Sequence, residues 1–444
     1  MFKMTLVWVV LYSAGLLAAF VNPIFGVLAY LFEYYLRPSL HWWGKPLPDW
    51  RWNFIVAAVA ILAFLLRRSS LREMPQVRNP ALGWLVALIV SALTVNLWAV
   101  DSSTSWDLTI ALMKLLALYG VMIGVVRTQQ GFDALAALHI AGAGWWGWQA
   151  YLDPHRLAGR LMNVGSSDTL NDNLAAAHLL TVVPFLCVYA LTAKNKWLRI
   201  LSLAAAPFIV NAFILCNSRG ATVGLVAALL AGLMVARSGH RLRVAVAGVS
   251  VAVMFLVLAD PQFIARQQTT TNYEAEGAER LQSWQGALHL IETHPFGAGG
   301  GGFAYLSPIY IPEVVASHNG EHRATHNTYL LIATDWGVQS LVLFCGFIGA
   351  TLIVLRRVRQ RSTGSDGFYY RSAAIHAALV GTLTAAIFSN RFTGESIYWM
   401  CAWAFALYRV QAAEASEAVP AGALRDGGAK PAVRPAASPV LADA

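Results

Sequence analysis

Apolar runs of about 15 to 20 residues recur along nearly the whole chain, separated by short polar stretches. A helix needs about 20 residues to cross a hydrocarbon core of ~30 Å, so these runs predict membrane spans. We place the spans at residues 4–36, 53–66, 81–99, 107–126, 131–148, 172–191, 200–216, 221–236, 244–260, 327–355, 372–389 and 396–411. The pattern therefore predicts an all-α polytopic membrane protein with about twelve transmembrane helices.

The composition agrees with this fold class and argues against nucleic acid as a partner. Of the 444 residues, 57% are hydrophobic and only 12% are charged, far from the averages of soluble domains. The formal net charge of +9 does not indicate nucleic acid, because the basic residues lie in short turns between spans. The four cysteines lie in or beside apolar runs without paired spacing, which is typical of small apolar side chains rather than a disulfide framework.

The turns with most positive charge are residues 67–79, 194–199, 237–243 and 356–361. An even number of crossings separates each from the next, so all four share one side, which the positive-inside rule makes cytoplasmic. The break at Val21-Asn22-Pro23 predicts that segment 4–36 is one kinked or partly re-entrant unit, with both termini inside. Residues 412–444 are rich in Ala, Pro and Gly and predict a disordered cytoplasmic tail, after a membrane domain of residues 1–411.

Opposite the basic turns lies a long loop, residues 261–326. It falls between the tenth and eleventh crossings when the two pieces of the first segment are counted separately. Its length favours a functional loop with structure of its own, and its spacing predicts a helix over 278–291 that stops at Thr293-His294-Pro295. The apolar face of that helix is predicted to carry Leu281, Trp284, Leu288 and Ile291.

The loop ends in HNGEHRATHNTYL, residues 318–330, where three histidines are spaced four apart. In a helix, His318, His322 and His326 would share one face and could bind zinc, although Gly320 weakens a helix and no HEXXH motif is present. Alternatively, one histidine is a general base, since a pKa near 6.5 lets it accept a proton at neutral pH. The third reading is a histidine hydrogen-bonded at a helix start.

Three arginines, Arg160, Arg219 and Arg280, are predicted on the same face, which otherwise holds few positive charges. A guanidinium is always charged, and its planar fork of donors fits phosphate oxygens. In the alternative reading each arginine snorkels to the headgroups or pairs with an acid of that face. The candidate acids are Asp168, Glu274 and Glu279.

The glycine run PFGAGGGGF, residues 295–303, is similar to a loop that cradles phosphate. It follows no predicted strand, however, and lacks the GK[ST] ending of such loops. The run therefore favours a tight turn that lets the backbone approach neighbouring helices closely.

Taken in order, these motifs resemble the O-antigen ligase and polymerase superfamily of bacterial envelope glycosyltransferases. The resemblance rests on Arg160, the SRGA motif at 218–221, Arg280 with Trp284, PFG at 295–297 and HNTYL at 326–330. It covers residues 155–340 by motif and the whole chain by hydropathy.

The resemblance implies an O-antigen ligase in the inner membrane. Such an enzyme transfers a glycan from undecaprenyl diphosphate to the lipid A–core oligosaccharide at the periplasmic face, inverting the anomeric centre without a metal or cofactor. It implies that His326 is the general base, that Arg219 and Arg280 stabilise the diphosphate leaving group, and that Arg160 and Asn327 join these arginines in binding substrate. Besides donor, acceptor and membrane lipid, no partner is implied, and the chain is expected to be a monomer.

Other functions remain open. A polymerase of the same superfamily would transfer the glycan to another carrier-linked unit, and a protein O-oligosaccharyltransferase would transfer it to Ser or Thr. From another class, a transporter or flippase of lipid-linked sugars could use the same arginines for binding. Transporters tend to show internal repeats, with charges near the midplane, whereas here we find no repeated halves and the charges cluster on one face.

Overall fold

A computed structural model describes most of the chain. The described residues are 2–67, 74–75, 77–154, 156–157, 160–162, 164–166, 168–169, 171–237, 239, 241–259, 261, 264, 271–362 and 366–417. Arg68 and Arg72 of the first basic turn, the side chain of Glu274 and the tail 418–444 lie outside this description.

The secondary structure is almost entirely helical. Thirteen of the described helices form a bundle: α1 (Phe2–Val21), α2 (Ile24–Tyr35), α3 (Trp52–Leu66), α4 (Pro80–Val95), α5 (Ser102–Val125), α6 (Gln129–Leu152), α7 (Asp172–Thr192), α8 (Lys196–Cys216), α9 (Arg219–Val235), α10 (Arg241–Leu258), α15 (Gly337–Arg361), α16 (Asp366–Ala385) and α17 (Glu395–Glu417). Four more lie between α10 and α15: α11 (Thr271–Thr293), α12 (Gly302–Tyr310), α13 (Pro312–Ser317) and α14 (Thr328–Asp335). A small antiparallel hairpin, β1 (Arg156–Leu157) and β2 (Arg160–Leu161), precedes α7.

Each of the twelve predicted spans is helical, and the all-α polytopic fold is confirmed. By length and composition, eight helices in the described part of the chain can cross a membrane, and two shorter apolar helices, Trp52–Leu66 and Arg219–Val235, accompany them. The chain is a multi-pass membrane protein.

The bundle has two ends, which we name by the residues they carry. At the histidine end, the loop with His318 and His326 lies beside the start of α7, the start of α9 and the start of α17. At the arginine end, Arg237 donates to the carbonyl of Ser362 at 2.6 Å, and Arg67 donates to the carbonyl of Phe20 at 3.0 Å. The basic turns, as far as they are described, share this second end, as their spacing predicts.

The prediction for the first segment is wrong. Helices α1 and α2 form an antiparallel hairpin rather than one kinked unit, because a Cβ added at Gly15 would meet the Cβ of Ala29 at 2.8 Å. Tyr12 donates to the carbonyl of Trp52 at 2.8 Å, and Phe20 accepts from Arg67. The chain therefore starts at the histidine end, and α1 and α2 count as two crossings.

Two further boundaries differ from the predictions. The predicted span 327–355 is interrupted at Trp336, after which Gly337 takes a φ of +86° and a new helix begins. The predicted membrane domain was to end at Gln411, but α17 continues to Glu417.

The long loop is partly helical, as predicted. Helix α11 begins at Thr271, earlier than the predicted 278, and ends at Thr293, the first residue of the predicted stop. The predicted apolar face of α11 is only partly correct: Trp284 and Ile291 are half-buried, but Leu281 and Leu288 are exposed. The buried residues are instead Ser283, Ala287 and Leu290. Small side chains here let α11 lie close to the rest of the loop.

Small residues also set the distances between bundle helices. Gly224 of α9 and Gly381 of α16 approach so closely that a Cβ on either would lie under 3 Å from the other's carbonyl oxygen. Close backbone approach through small residues is the usual packing mode of helices in lipid. Helix α17 occupies the centre of the bundle, where Trp399 and Trp403 are fully buried.

Candidate functional site

A short 3-10 turn, Ala386–Phe388, is the place where the predicted site residues meet. Nη1 of Arg280 donates to the carbonyl of Phe388 at 3.3 Å, and the Trp284 ring lies 6.4 Å from the Phe388 ring. On the other side, a Cβ added at Gly220 would lie 2.7 Å from Cβ of Phe388. Since Arg219 precedes Gly220 at the first turn of α9, the two segments that carry the predicted arginines both pack against one phenylalanine.

His326 lies close to these groups. Burial lowers its pKa to about 4, and the positive charges of Arg280 and Arg323 act in the same direction, as does His318. Its backbone has a φ of +49°, a left-handed conformation that is uncommon outside glycine. The ring is therefore neutral at neutral pH, within the field of Arg280.

The peptide before His326 is fixed from two sides. Nε1 of Trp284 donates to the carbonyl of Thr325 at 3.2 Å, and Oγ1 of Thr325 donates to Oδ1 of Asn390 at 3.3 Å. These bonds tie the histidine segment both to α11 and to the loop before α17. The position of His326 is thus set by the same helix that carries Arg280.

The helical arrangement assumed for the three histidines is wrong. Between α13 and α14 the backbone is irregular, so the histidines share no helical face. His318 instead pairs through Nδ1 with Oε1 of Glu279 at 3.1 Å, and the ring of His322 lies 6.3 Å from that of Tyr305. His326 is the one that lies near Arg280.

Asn327 has a clear local role. It is the N-cap of α14, and its Oδ1 accepts from the backbone N–H of Tyr329 at 2.9 Å and of Leu330 at 3.2 Å. A cap of this kind satisfies donors that the first helical turn leaves open. Its predicted contact with substrate remains a prediction.

Arg160 lies further along the same face. It forms an ion pair with Asp172, the first residue of α7, with Nη1 and Oδ2 2.9 Å apart. Asp172 is not among the three acidic residues that the sequence suggested as partners of the arginines. Next to Asp172, Asn173 accepts a hydrogen bond from Oγ of Ser218 at 2.6 Å. The hairpin is in this way connected to the turn that carries Arg219.

The glycine run forms a tight turn, as predicted. Its backbone N–H groups bind protein atoms: those of Gly301 and Phe303 donate to the Asp335 carboxylate, both at 2.9 Å, and that of Gly300 donates to Oγ of Ser105 at 2.8 Å. A phosphate would have to displace a buried carboxylate here. The turn therefore joins α14 to α5 and is not the phosphate site.

One comparison bears on identity. Residues 204–345 match the family described as O-antigen ligase. These residues, less than half of the chain, are similar to O-antigen ligases, and we refer to them as the O-antigen ligase segment. A comparison with curated proteins gives no match.

The O-antigen ligase segment runs from within α8 to within α15, so Arg219, Arg280, His326 and Asn327 all lie inside it. Arg160 lies outside. The family is one of glycosyltransferase-type enzymes, and the motif resemblance is confirmed at the level of the family.

Within the described residues, no three His, Cys, Asp or Glu side chains are grouped so that they could hold a metal ion. The charged group that contacts Phe388 is the guanidinium of Arg280, and guanidinium groups bind phosphate oxygens directly through paired N–H donors.

Arg391 is a residue of this site that was not predicted from the sequence. It is 1% exposed; Nη1 donates to the carbonyl of Asp168 at 3.0 Å, and Nη2 donates to Oγ of Ser396 at 3.1 Å. Its backbone N–H also donates to Oγ1 of Thr328 at 2.8 Å. A lone arginine in a short loop of this face was the signal that selected Arg219, and it applied equally to Arg391.

Asp168 is tied in turn to α2 and α17. Oδ1 accepts from the hydroxyl of Tyr34 at 2.6 Å, and Oδ2 accepts from the backbone N–H of Glu395 at 3.1 Å. Arg391 and Asp168 thus connect the loop after Phe388 to the centre of the bundle. They hold in place the peptide to which Arg280 and Thr328 bind.

Proposed function

We propose that the chain transfers a glycan from undecaprenyl diphosphate to the lipid A–core oligosaccharide, at the periplasmic face of the bacterial inner membrane. The observations that carry the proposal are the bond of Arg280 to the Phe388 carbonyl, the electrostatic effect of Arg280 on His326 and the packing of Gly220, next to Arg219, against the same phenylalanine. The O-antigen ligase segment supports the reaction class; the donor and the acceptor are part of the proposal.

The arginines act on the leaving group. When the bond between the anomeric carbon and the diphosphate oxygen breaks, that oxygen gains negative charge. Arg280 and Arg219 donate to it and lower the barrier without a metal, because fixed donors aimed at developing charge stabilise the transition state. Arg160 and Asn327 contact the rest of the donor.

His326 acts on the acceptor. Its free ring nitrogen takes the proton of the acceptor hydroxyl while the hydroxyl oxygen attacks the anomeric carbon from the side opposite the diphosphate. One bond forms as the other breaks, so the anomeric configuration inverts. The proton then passes from His326 to solvent, and the lipid diphosphate leaves.

The low pKa of His326 fits this order of events. In the empty site, Arg280 and Arg323 disfavour the protonated ring. A bound diphosphate offsets their positive charge and raises the pKa of His326, since nearby anions favour the charged form of histidine. The histidine therefore becomes a stronger base when the donor is in place.

The test uses purified full-length protein with an undecaprenyl-diphosphate glycan and, separately, three acceptors: lipid A–core, a second carrier-linked unit and a Ser/Thr peptide. Each reaction is run with and without an excess of chelator. We expect transfer to lipid A–core, unaffected by chelator.

Each other outcome identifies a different function. Transfer only to the carrier-linked unit makes the protein a polymerase, and transfer only to peptide makes it a protein O-oligosaccharyltransferase. Loss of transfer with chelator contradicts the metal-free mechanism. No transfer to any acceptor, with movement of the lipid-linked glycan across liposomes, makes it a transporter.

A further inference from the structure

An apolar cavity of about 470 Å³ lies between α7, α9, α10 and α16. Its walls include Leu225 and Leu229 of α9 and Ala247 and Val251 of α10. Helix α10 has no buried residue along its length. It contacts α8 through Phe255 and Phe213 but leaves an open apolar space between itself, α7, α9 and α16.

One end of the cavity is polar and positively charged. Arg237 and Arg243 line it there, beside Tyr369 and Tyr370. The guanidinium of Arg237 lies 4.3 Å from the centre of the Tyr369 ring, and its Nη2 donates to the carbonyl of Ser362. Arg237 is thereby fixed at the mouth of the cavity, while Arg243 is exposed beside it.

We propose that this cavity binds an anionic phospholipid from the leaflet at the arginine end, with one acyl chain in the cavity and the phosphate against Arg243 and Arg237. Apolar walls with two arginines at one end match a molecule with a hydrocarbon chain and one anionic head. Basic pockets between transmembrane helices on the cytoplasmic side are typical sites for anionic lipid heads.

The position of the two arginines in the bundle distinguishes this lipid from the proposed glycan donor. The donor's diphosphate belongs at the histidine end, beside Arg219, whereas both charged residues of the cavity lie at the opposite end. A lipid whose head reached Arg219 would direct only the end of its chain toward Arg243. The lipid site therefore does not depend on the proposed glycosyl transfer.

The test is native mass spectrometry of the purified full-length protein, equilibrated with equal amounts of phosphatidylglycerol and phosphatidylethanolamine that carry the same acyl chains. We expect one phosphatidylglycerol to stay bound in preference to the neutral lipid. Arg243→Gln should lower its retention about fivefold, the effect of one basic residue near an anionic lipid surface. Arg241→Gln is the matched control, since Arg241 is exposed on the same helical turn but does not line the cavity.

A second pair of variants tests whether the acyl chain occupies the apolar cavity. Ala247→Phe places a ring in the cavity and should displace the lipid, whereas Val249→Phe, on the exposed side of the same helix, should not. Equal retention of the two lipids would overturn the proposal. So would equal losses in the Arg243 and Arg241 variants, which would show attraction to the whole basic end, or full retention in Ala247→Phe.

Discussion

At the scale of single residues, the environment of His326 decides its chemistry. Burial and two neighbouring arginines hold its pKa near 4, so the unprotonated form dominates throughout the neutral range. Burial is the larger cause, and a change in the charge beside the ring should move the pKa of His326 further.

Replacing Arg280 by Gln should raise the pKa of His326, because one positive charge that disfavours the imidazolium is removed. The value should stay below 6.5, since burial remains. NMR titration of histidine-labelled protein measures it, with His326→Asn to assign the signal and Arg241→Gln as a control of equal charge change. An unchanged pKa in the Arg280 variant would contradict the proximity of the two groups.

Two substitutions at Asn327 can distinguish its role as the N-cap of α14 from its proposed contact with substrate. Asn327→Ala should lose about 1 kcal/mol of stability, the usual cost of a missing N-cap, whereas Asn327→Asp keeps an oxygen at the same position and should unfold like the wild type. The proposal predicts that Asn327→Asp nevertheless transfers glycan slowly, because its carboxylate repels a diphosphate. Full transfer by that variant would remove Asn327 from substrate binding.

At the scale of elements, the glycine turn, residues 295–303, contacts α5 through Ser105, the end of α14 through Asp335, and Ala99. Gly299 has a φ of +96°, and a Cβ there would lie 2.3 Å from that of Ala99. Gly299→Ala should therefore cost on the order of 2–4 kcal/mol through strain and overpacking. Thermal unfolding in detergent should show a clearly lower midpoint.

The control for this substitution is Gly349→Ala in α15. A Cβ at Gly349 would meet nothing within 4 Å, so alanine there should be neutral or stabilising by up to about 1 kcal/mol. Similar destabilisation by both variants would mean that the turn at Gly299 is not the close contact described above.

Arg391 and Asp168 hold the loop that follows Phe388. Nη2 of Arg391 lies 3.9 Å from Oδ2 of Asp168, so the coupling of the two charges can be measured. Arg391→Gln and Asp168→Asn should each lower stability by on the order of 3 kcal/mol, since each leaves a buried partner without its charge. The double variant should lose at least about 1 kcal/mol less than the sum of the single losses. Strict additivity in unfolding measurements would show that the two residues act separately.

At the scale of the whole molecule, the spans could be predicted because length and apolar composition suffice to define a crossing. The hairpin of α1 and α2 could not, because α2 has only twelve residues and resembles a fragment of the preceding run. Its direction depends on contacts such as Gly15 with Ala29, which no local pattern encodes. The same holds for the inward face of α11, where apolar spacing selected the exposed leucines.

The sequence was sufficient to identify candidate site residues by their type, but not to predict how they are arranged in space. Charged residues are costly beside apolar spans, so Arg219 and Arg280 were identifiable one by one. The packing of their two segments against Phe388, more than 100 residues further along the chain, is a product of the helix arrangement. Arg391 stands alone in a short loop, as Arg219 does, but it belongs to none of the motifs that carry the family resemblance, so the sequence did not single it out.

The central claim is that His326 is the base of a glycosyl transfer in which the neighbouring histidines have no part. Single-turnover transfer by His326→Ala and His322→Ala, with the donor bound in advance, tests it most directly. The account predicts loss of at least about 100-fold in the first variant, the usual contribution of a general base, and wild-type rates in the second. Transfer at the wild-type rate by His326→Ala, or equal losses in both variants, would contradict it.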